Sequence, residues 1–244
     1  MPRTRSSTTD RPGLSRDAVV AAATEMADAE GLDRLSMRRL GERLGVEAMS
    51  LYHHVPNKPA LLDAMVDQVF AEMAVPEGDD WRAGLRARAV SQRAVLRRHR
   101  WALAVIESRR SPGPENLRHH DATLGFLRRN GFSLRATGHA YALLDAYVMG
   151  FVLQEQQLPF DDSNAAEVAV ELLDSNAGLD LPHLTEYAQE VVMASGYDFG
   201  DEFEVGLDLV LDAVGALRSA QRPRKHEDRP WGSVFTRQHQ KKWS

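Results

Sequence analysis

The 244-residue chain contains no cysteine. This excludes disulfide bonds, thiolate metal sites and a cysteine nucleophile, and it is typical of proteins from a reducing compartment. No stretch approaches the run of about 18 uncharged apolar residues that predicts a membrane helix. The first residues, up to Arg16, also lack the apolar core of a signal peptide. We therefore expect a cytoplasmic protein.

Basic residues are absent from a long part of the chain, since no Lys or Arg lies between Arg135 and Arg218. The net charge of −5 is divided unevenly: it is +1 over residues 1–58, −12 over residues 59–217 and +6 over residues 218–244. Because contacts to DNA phosphates need Lys and Arg, any nucleic-acid site is expected to be confined to a small part of the chain, near one end.

The pattern of apolar residues predicts an all-α fold. Hydrophobic residues make up 43% of the chain and charged residues 27%, the ordinary mixture of a globular protein. Apolar residues recur at helical spacing from Ala18 to Leu217, and no segment keeps the alternation of a β-strand. A composition change at residues 76–79 predicts a boundary. We expect a flexible basic arm over residues 1–14, an amino-terminal domain over 15–75, a larger helical domain over 80–218 and a basic tail over 219–244.

Capping residues and helix breakers predict where the helices begin and end. Ser15, Ser36 and Asn57 stand where N-caps are expected, and Leu14 and Val19 are placed to form a hydrophobic staple. Helices are predicted over residues 15–30, 36–44, 48–54, 58–73, 80–99, 101–108, 114–130, 133–157, 165–177, 184–194 and 202–218.

Residues 36–55 have the pattern of a helix-turn-helix. Gly45 permits a sharp turn between two short helices. The side chains expected to close a small core across that corner are Leu40, Leu44, Val46, Leu51 and Val55. Two short helices with a glycine between them also occur in all-α proteins that do not bind DNA. The pattern alone therefore leaves both interpretations open.

The second short helix supplies the candidate DNA contacts. In a helix-turn-helix this helix enters the major groove, where small side chains allow close approach and Met49 can touch a thymine methyl group. Lys58 opens the next helix, whose N-terminus favours a phosphate. The candidate DNA-binding residues are Arg38, Arg39, Ala48, Met49, Ser50, Tyr52, His53, His54 and Lys58.

Residues 35–62 resemble the DNA-binding region of the tetracycline-repressor (TetR) family. The family signature is matched at Leu51, Tyr52, His54, Val55, Lys58, Leu61 and Leu62, and Trp81, residues 130–132 and residues 150–153 resemble the tetracycline-repressor branch. The resemblance implies a three-helix helix-turn-helix domain followed by a helical ligand-binding and dimerisation domain. It also implies a homodimeric repressor that binds a palindromic operator and is released by a small-molecule effector. The family often carries Pro where Met49 stands, so the base preference there does not carry over.

The resemblance places an effector pocket among the helices between residues 80 and 157. Its candidate lining residues are Trp101, Val105, Ile106, Phe126, Tyr141, Leu144, Asp145, Tyr147 and Phe151. The alternative is that they are ordinary core. In the drug-sensing branch, His and Glu hold a drug–magnesium chelate. Those positions are Ile106, Ala146 and Gln154 in this chain, which argues against tetracycline, and the polar drug contacts fall at Arg88 and Gln92.

Two late helices have apolar faces suited to a second copy of the chain. The residues predicted for the dimer interface are Val148, Val152, Phe203, Leu207, Val210, Val214 and Leu217. Each helix also has a second apolar side, which in the last helix includes Val205 and Leu209. The two sides together form an apolar surface that is too wide for a single helix–helix contact. The alternative interpretation is that both helices are buried in one core.

Other patterns argue against metal, cofactor or enzyme chemistry. His119, His120 and Asp121 are adjacent on a helix, so their side chains diverge by about 100° and do not converge on one ion. The arginines between residues 82 and 100 predict a charged outer face, although one that turns inward could bind an anionic ligand. No nucleophile elbow, phosphate loop or cofactor fingerprint is present. The alternative function is a dimeric small-molecule-binding protein that acts as an activator or has lost specific DNA binding.

Overall fold

A computed structural model describes residues 14–108, 112–160 and 163–219, and these residues form helices and no strand. The predicted all-α fold is therefore confirmed. The helices are α1 (Arg16–Glu30), α2 (Met37–Leu44), α3 (Ala48–Leu51), α4 (Lys58–Glu72), α5 (Trp81–Arg98), α6 (Ala102–Ser108), α7 (Pro114–Arg129), α8 (Leu134–Gln157), α9 (Ala165–Ser175), α10 (Pro182–Tyr187) and α11 (Glu202–Ser219). None of the described helices has the length and apolarity that a membrane crossing requires. Residues 1–13 of the predicted arm and 220–244 of the predicted tail lie outside the described residues.

Local capping explains where several helices begin. Ser15, Ser36 and Asn57 each accept a hydrogen bond from the backbone N–H three residues later, at 3.1, 3.3 and 2.8 Å. These bonds satisfy N–H groups that have no partner within the helix, so α1, α2 and α4 begin where the sequence predicts.

Two predicted helices have different bounds. The helix predicted over residues 48–54 is α-helical only over Ala48–Leu51 and ends in a turn before Pro56. The helix predicted over 184–194 begins earlier, at Pro182, and changes to a π-helical turn over Ala188–Val192.

The first four helices pack around one apolar core. Its central side chains are 0% exposed and come from each of these helices: Val19, Leu40, Leu51, Leu61 and Met65. Leu44 and Val46 pack half-buried against them. The corner between α2 and α3 is therefore closed by the side chains that the sequence predicts.

Two glycines shape that corner for different reasons. Gly45 has φ +69°, a left-handed conformation that side chains with a Cβ disfavour. Gly41 lies where α2 approaches the turn most closely. A Cβ there would stand 2.8 Å from the carbonyl oxygen of Val46 and 3.1 Å from the backbone nitrogen of Ala48. The angle between α2 and α3 thus depends on the absence of a side chain at residue 41.

In the rest of the chain, α8 packs against α5, α7 and α11. Phe126, Phe132 and Phe203 are at most 1% exposed and fill the space between these helices. Arg82 and Arg86 of α5 form ion pairs with Asp208 of α11. The acidic side of α11 therefore faces basic residues of its own chain.

Most of the residues predicted for the dimer interface pack inside a single protomer. Five of its seven residues are 0% exposed inside a single protomer: Val148, Val152, Phe203, Leu207 and Val214. The other two, Val210 and Leu217, are partly buried against the same core. The prediction chose the side of each helix that packs within the protomer. Exposed apolar residues of these helices are Leu134 at 77%, Leu143 at 38% and Leu153 at 46% on α8, and Val205 at 60% and Leu209 at 66% on α11.

Replacing Gly41 with Ala is expected to destabilise the protein by about 1–3 kcal/mol, because the added methyl group would displace backbone atoms that cannot rotate away. Chemical denaturation followed by circular dichroism measures this change. Gly125→Ala in α7 is the control, since its Cβ would meet only the end of the Arg129 side chain, at 3.2 Å. A Gly41→Ala variant as stable as Gly125→Ala would show that the close approach is not needed.

Candidate functional site

The α3 segment presents one face to the core and another to solvent. Leu51 is 0% exposed and anchors the helix, whereas Met49 is 70% and Tyr52 is 42% exposed. Ala48 and Ser50 are half-buried beside them. His54 N–H donates to the carbonyl of Leu51 at 2.9 Å, which continues the turn after the helix. The candidate base-contacting residues are thus brought together on one short, firmly anchored turn.

The basic candidates around α3 have different surroundings. Arg38 is exposed and lies 3.6 Å from Glu42 in the same helix. Arg39 donates to Glu30 at 2.6 Å and to the carbonyl of Arg34 at 2.9 Å, so it joins α2 to the end of α1. His53 is exposed. Within this group, Arg38 and His53 present the most accessible side chains.

The Lys58 side chain is held beside the start of α2. Its Nζ donates a hydrogen bond to the carbonyl of Leu35 at 2.7 Å, just before the N-cap Ser36. An ammonium group has three donors, so this bond leaves others directed elsewhere. The N-termini of α2 and α4 and the Lys58 charge therefore lie close together, an arrangement that favours an anion.

The Asp67 carboxylate of α4 caps the N-terminus of α7. Asp67 Oδ1 accepts from the backbone N–H of Glu115 at 2.7 Å and of Asn116 at 3.3 Å. Gly113 lies directly against this carboxylate, where a Cβ would be 2.4 Å from Oδ1. This contact joins the helix-turn-helix part of the chain to the larger helical part. No local sequence pattern predicts this contact, because the capping residue lies 48 positions away.

A second polar contact joins the same two parts. Asp28 of α1 accepts from Trp101 Nε1 at 2.7 Å, and its Oδ1 lies 2.8 Å from Nδ1 of buried His99. Glu72 Oε2 of α4 lies 3.1 Å from His99 Nε2. Trp101, a predicted pocket residue, therefore directs its N–H toward α1.

The third contact involves His119, which is 4% exposed. Its Nε2 lies 3.2 Å from the carbonyl of Ala74, just beyond α4, and its ring is tilted against Phe70 of α4. Burial, followed by the nearby Arg88 cation, lowers the pKa of His119 below the usual 6.5. The imidazole is thus neutral near pH 7 and donates from Nε2 to the carbonyl.

A layer of buried polar side chains lies where α5 and α8 pack together. We call Arg88, Gln92 and Asp145 the polar layer. Arg88 is 1% exposed and donates from Nη2 to Asp145 Oδ1 at 2.7 Å. Four polar atoms in this region are buried without a hydrogen-bond partner among the described residues: Nε and Nη1 of Arg88, Oε1 of Gln92 and, further toward the start of α8, Oγ1 of Thr137. Such unpaired groups are rare in protein interiors and indicate a water or ligand site.

The predicted pocket residues divide between this layer and the apolar core. Asp145 belongs to the layer, and the ring of Tyr141 lies 5.3 Å from the Arg88 guanidinium carbon. Phe126, Leu144, Val105 and Phe151 are buried in the core, and Ile106 packs partly buried against it. Tyr147 donates from its hydroxyl to the carbonyl of Phe203 at 2.8 Å.

The prediction missed Thr137. Its signal was the spacing of polar residues 137, 141 and 145 on α8, of which Asp145 contacts Arg88 of α5. Most of the α5 arginines do lie outward in ion pairs, but Arg88 turns inward. Among the described residues, no group of three or more His, Asp or Glu side chains is arranged to hold a metal ion.

Comparison with known sequences covers both parts of the chain. Residues 19–65 match the family of bacterial regulatory proteins named tetR, and residues 75–218 match the tetracyclin repressor-like C-terminal domain. The transcriptional repressor DrrR1 of Streptomyces coeruleorubidus is 35% identical over 223 residues, which are 87% of this chain and 81% of DrrR1. The class C tetracycline repressor of Escherichia coli is 32% identical over 209 residues, which are 84% and 92% of the two chains.

Solved structures agree with this assignment. Apo ActR from Streptomyces coelicolor has a TM-score of 0.69 at 29% identity and covers 86% of this chain and 98% of its own. ActR in complex with actinorhodin has the same TM-score and identity, and the match covers 84% of this chain and 98% of the ActR chain. A TetR variant from Acinetobacter baumannii AYE in complex with minocycline has a TM-score of 0.61 at 30% identity and covers 88% and 100%. The chain therefore belongs to the TetR family of bacterial transcriptional regulators, with a helix-turn-helix DNA-binding domain followed by a ligand-binding C-terminal domain.

Proposed function

We propose that this protein is a repressor that binds a palindromic operator as a homodimer and leaves it when a small-molecule effector binds the C-terminal domain. The observation that carries this proposal is the exposed face of α3. Buried Leu51 fixes the helix, while Met49 and Tyr52 extend into solvent from a turn that begins with small residues. This is the shape that a major groove accommodates.

In this proposal α3 reads bases and its surroundings hold the DNA backbone. Ala48 and Ser50 allow close approach, and Met49 contacts a thymine methyl group. The long side chains after the helix reach bases or phosphates, and Lys58 holds a phosphate beside the N-terminus of α4. The residues assigned to DNA binding are Arg38, Arg39, Ala48, Met49, Ser50, Tyr52, His53, His54 and Lys58.

Dimerisation follows from the geometry of the operator and from the exposed faces of α8 and α11. Two half-sites lie about 34–36 Å apart, so one short reading helix per protomer requires two protomers. On α11, Val205 and Leu209 lie one turn apart and are 60% and 66% exposed. On α8, Leu153 is exposed together with small Ala146 and Gly150, which allow close helix packing. We infer that these faces, and not the seven residues predicted from the sequence, form the dimer interface.

The effector site is assigned to the polar layer and the aromatic side chains next to it. ActR and the Acinetobacter TetR variant have been solved with actinorhodin and minocycline, respectively, which supports a small-molecule effector in this fold. Tetracycline itself is disfavoured, because Ile106, Ala146 and Gln154 replace the side chains that the drug–magnesium chelate requires.

Coupling between the two sites is assigned to α4. This helix begins at Lys58 beside α3, and the chain leaving it passes Ala74, whose carbonyl faces His119. Arg88 is close enough to His119 to contribute to its lowered pKa. A ligand in the polar layer therefore acts on α4 through one intervening side chain. It releases DNA by favouring a dimer whose reading helices are spaced wrongly for the operator.

DNA recognition is tested by selecting bound duplexes from a random pool and then measuring the affinity of variants for the selected duplex at a fixed salt concentration. Tyr52→Ala is expected to weaken binding by about tenfold or more, because it removes a contact worth about 1–3 kcal/mol. Tyr187→Ala, similarly exposed at 49% on α10, is the control and should bind as the wild type does. No enrichment by folded protein would favour the binding-protein alternative, and unchanged affinity of Tyr52→Ala would refute the assigned surface.

Dimerisation is tested by sedimentation velocity. Leu209→Glu places a carboxylate in each half of the proposed interface and is expected to weaken dimerisation about 100-fold or more, because burying an unpaired charge is costly. Leu117→Glu on α7, where the leucine is 55% exposed, controls for the added charge. If Leu209→Glu remains a dimer at the concentration where the wild type is one, the contact lies on another face.

The buried state of His119 predicts a pH dependence of stability. Its folded pKa is lowered below 6.5, so the unfolded chain takes up a proton first as the pH falls. The stability that this residue contributes is present above pH 6.5 and is lost between 6.5 and the lower folded pKa. His119→Gln should therefore lose less stability than the wild type as the pH falls from about 7.5 to 5.5. Denaturation at several pH values measures this, and His183→Gln, at an exposed site, should behave as the wild type does. Equal pH slopes for His119→Gln and wild type would contradict the burial argument.

A further inference from the structure

The Arg88 side chain has more hydrogen-bond donors than the protein satisfies. A guanidinium carries five N–H donors, and Arg88 donates from Nη2 to Asp145 at 2.7 Å and lies beside the Tyr141 hydroxyl. Its Nε and Nη1 atoms are buried with no hydrogen-bond partner among the described residues. Leaving donors of a charged group unpaired in the interior is costly, so the layer is built to receive acceptor atoms there.

The neighbouring groups have a complementary requirement. Gln92 lies one helical turn beyond Arg88 on α5, and its unpartnered Oε1 can only accept a hydrogen bond. The layer thus offers donors at Arg88 and an acceptor at Gln92, and one molecule carrying both kinds of group would satisfy them together.

The charge of the layer favours an anion at the donor end. The Asp145 carboxylate contacts Arg88 through a single short bond, and 22% of its side chain remains exposed to water, which weakens its compensation of the buried cation. His119 adds no negative charge, since it is a neutral donor to Ala74. An anionic oxygen on Arg88 would form charge-assisted hydrogen bonds, which are about twice as strong as those to a neutral acceptor.

Aromatic rings border the same site. The Tyr141 ring lies 5.3 Å from the Arg88 guanidinium carbon, and the His120 ring stacks on it at 4.0 Å between centroids. Phe126, fully buried, packs against Gly84 one turn before Arg88. A planar ligand would find stacking partners there.

We propose that the effector is an aromatic acid that also carries a hydroxyl group, with its anionic oxygen on Nε and Nη1 of Arg88 and its hydroxyl donating to Oε1 of Gln92. Arg88 is then the residue that sets specificity for the charge of the ligand. This inference rests on the proposed effector site and adds the chemical class of the ligand.

The test uses meta-hydroxybenzoate and its neutral isostere meta-hydroxybenzamide as probes of the full chain at pH 7, with affinities from ligand-observed NMR titration. The acid is expected to bind the wild type at least about tenfold more tightly than the amide, because the charge-assisted bonds are available only to the acid. Arg88→Gln should reduce this ratio to about one, because it weakens binding of the acid far more than binding of the amide.

Two further variants separate recognition from folding. Arg88→Gln combined with Asp145→Asn keeps the layer free of an unpaired buried charge and should also lose the preference for the acid. Arg118→Gln removes the same charge from an exposed site on α7 and should retain the preference. Equal affinity of the wild type for both probes, binding of neither, or a preference that survives in the double variant would overturn the inference.

A parallel measurement distinguishes failure of this inference from failure of the proposed function. The affinity for the selected duplex is measured with and without saturating acid. If the acid binds in an Arg88-dependent manner but the DNA affinity is unchanged, the ligand class stands and the release mechanism fails. If a duplex is selected but the acid shows no preference over the amide, DNA recognition stands and the ligand class fails.

Discussion

The hydrogen bonds from the N-terminus of α7 to the Asp67 carboxylate connect the two parts of this protein, and much of its organisation depends on them. They fix α4 against α7 near the middle of α4, and Lys58 at one end of α4 lies beside α3. Beyond the other end, Ala74 meets His119. Because helices are stiff, a displacement of α7 relative to the core cannot leave α4 in place. The exposed face of α3 and the polar layer are therefore connected through α4, which packs against both the helix-turn-helix part and the larger helical part of the chain.

The polar layer is an unfavourable arrangement in a protein that only needs to be stable. A well-packed apolar core is often as stable as a buried ion pair, or more so. The chain nevertheless buries Arg88 among apolar helices with donors unpaired, next to fully apolar packing around Phe126 and Leu144. Stability that is given up at such a position is recovered when a ligand satisfies these groups. This differential interaction is what a ligand needs in order to shift a conformational equilibrium.

Sequence reasoning succeeded where the determining interaction is local and failed where it is not. Ser15, Ser36 and Asn57 cap helices through bonds that span three residues, so the helix starts were predictable. The faces that we propose for the dimer were not predictable from the sequence. Both α8 and α11 are apolar on two sides, and periodicity does not say which side packs against its own chain. The inward orientation of Arg88 was not predictable for a related reason. Its neighbours Arg82 and Arg86 on α5 are held outward by a carboxylate more than a hundred residues away in the sequence, and no local pattern distinguishes Arg88 from them.

The uneven charge of the chain has a structural explanation in these same contacts. The acidic residues of α11 are matched by Arg82 and Arg86 of α5, so the apolar row of Val205 and Leu209 is the side that no other described residue of the chain covers. Because residues 59–217 carry a net charge of −12, the C-terminal part repels a phosphate backbone. Within residues 1–217, net attraction to DNA is then confined to residues 1–58, which include the helix-turn-helix and carry a net charge of +1. A dimer built through α8 and α11 would keep its acidic C-terminal parts away from the duplex. The two helix-turn-helix parts, whose net charge is small, would then make the contact with DNA. Base contacts rather than overall charge would therefore decide where the dimer binds.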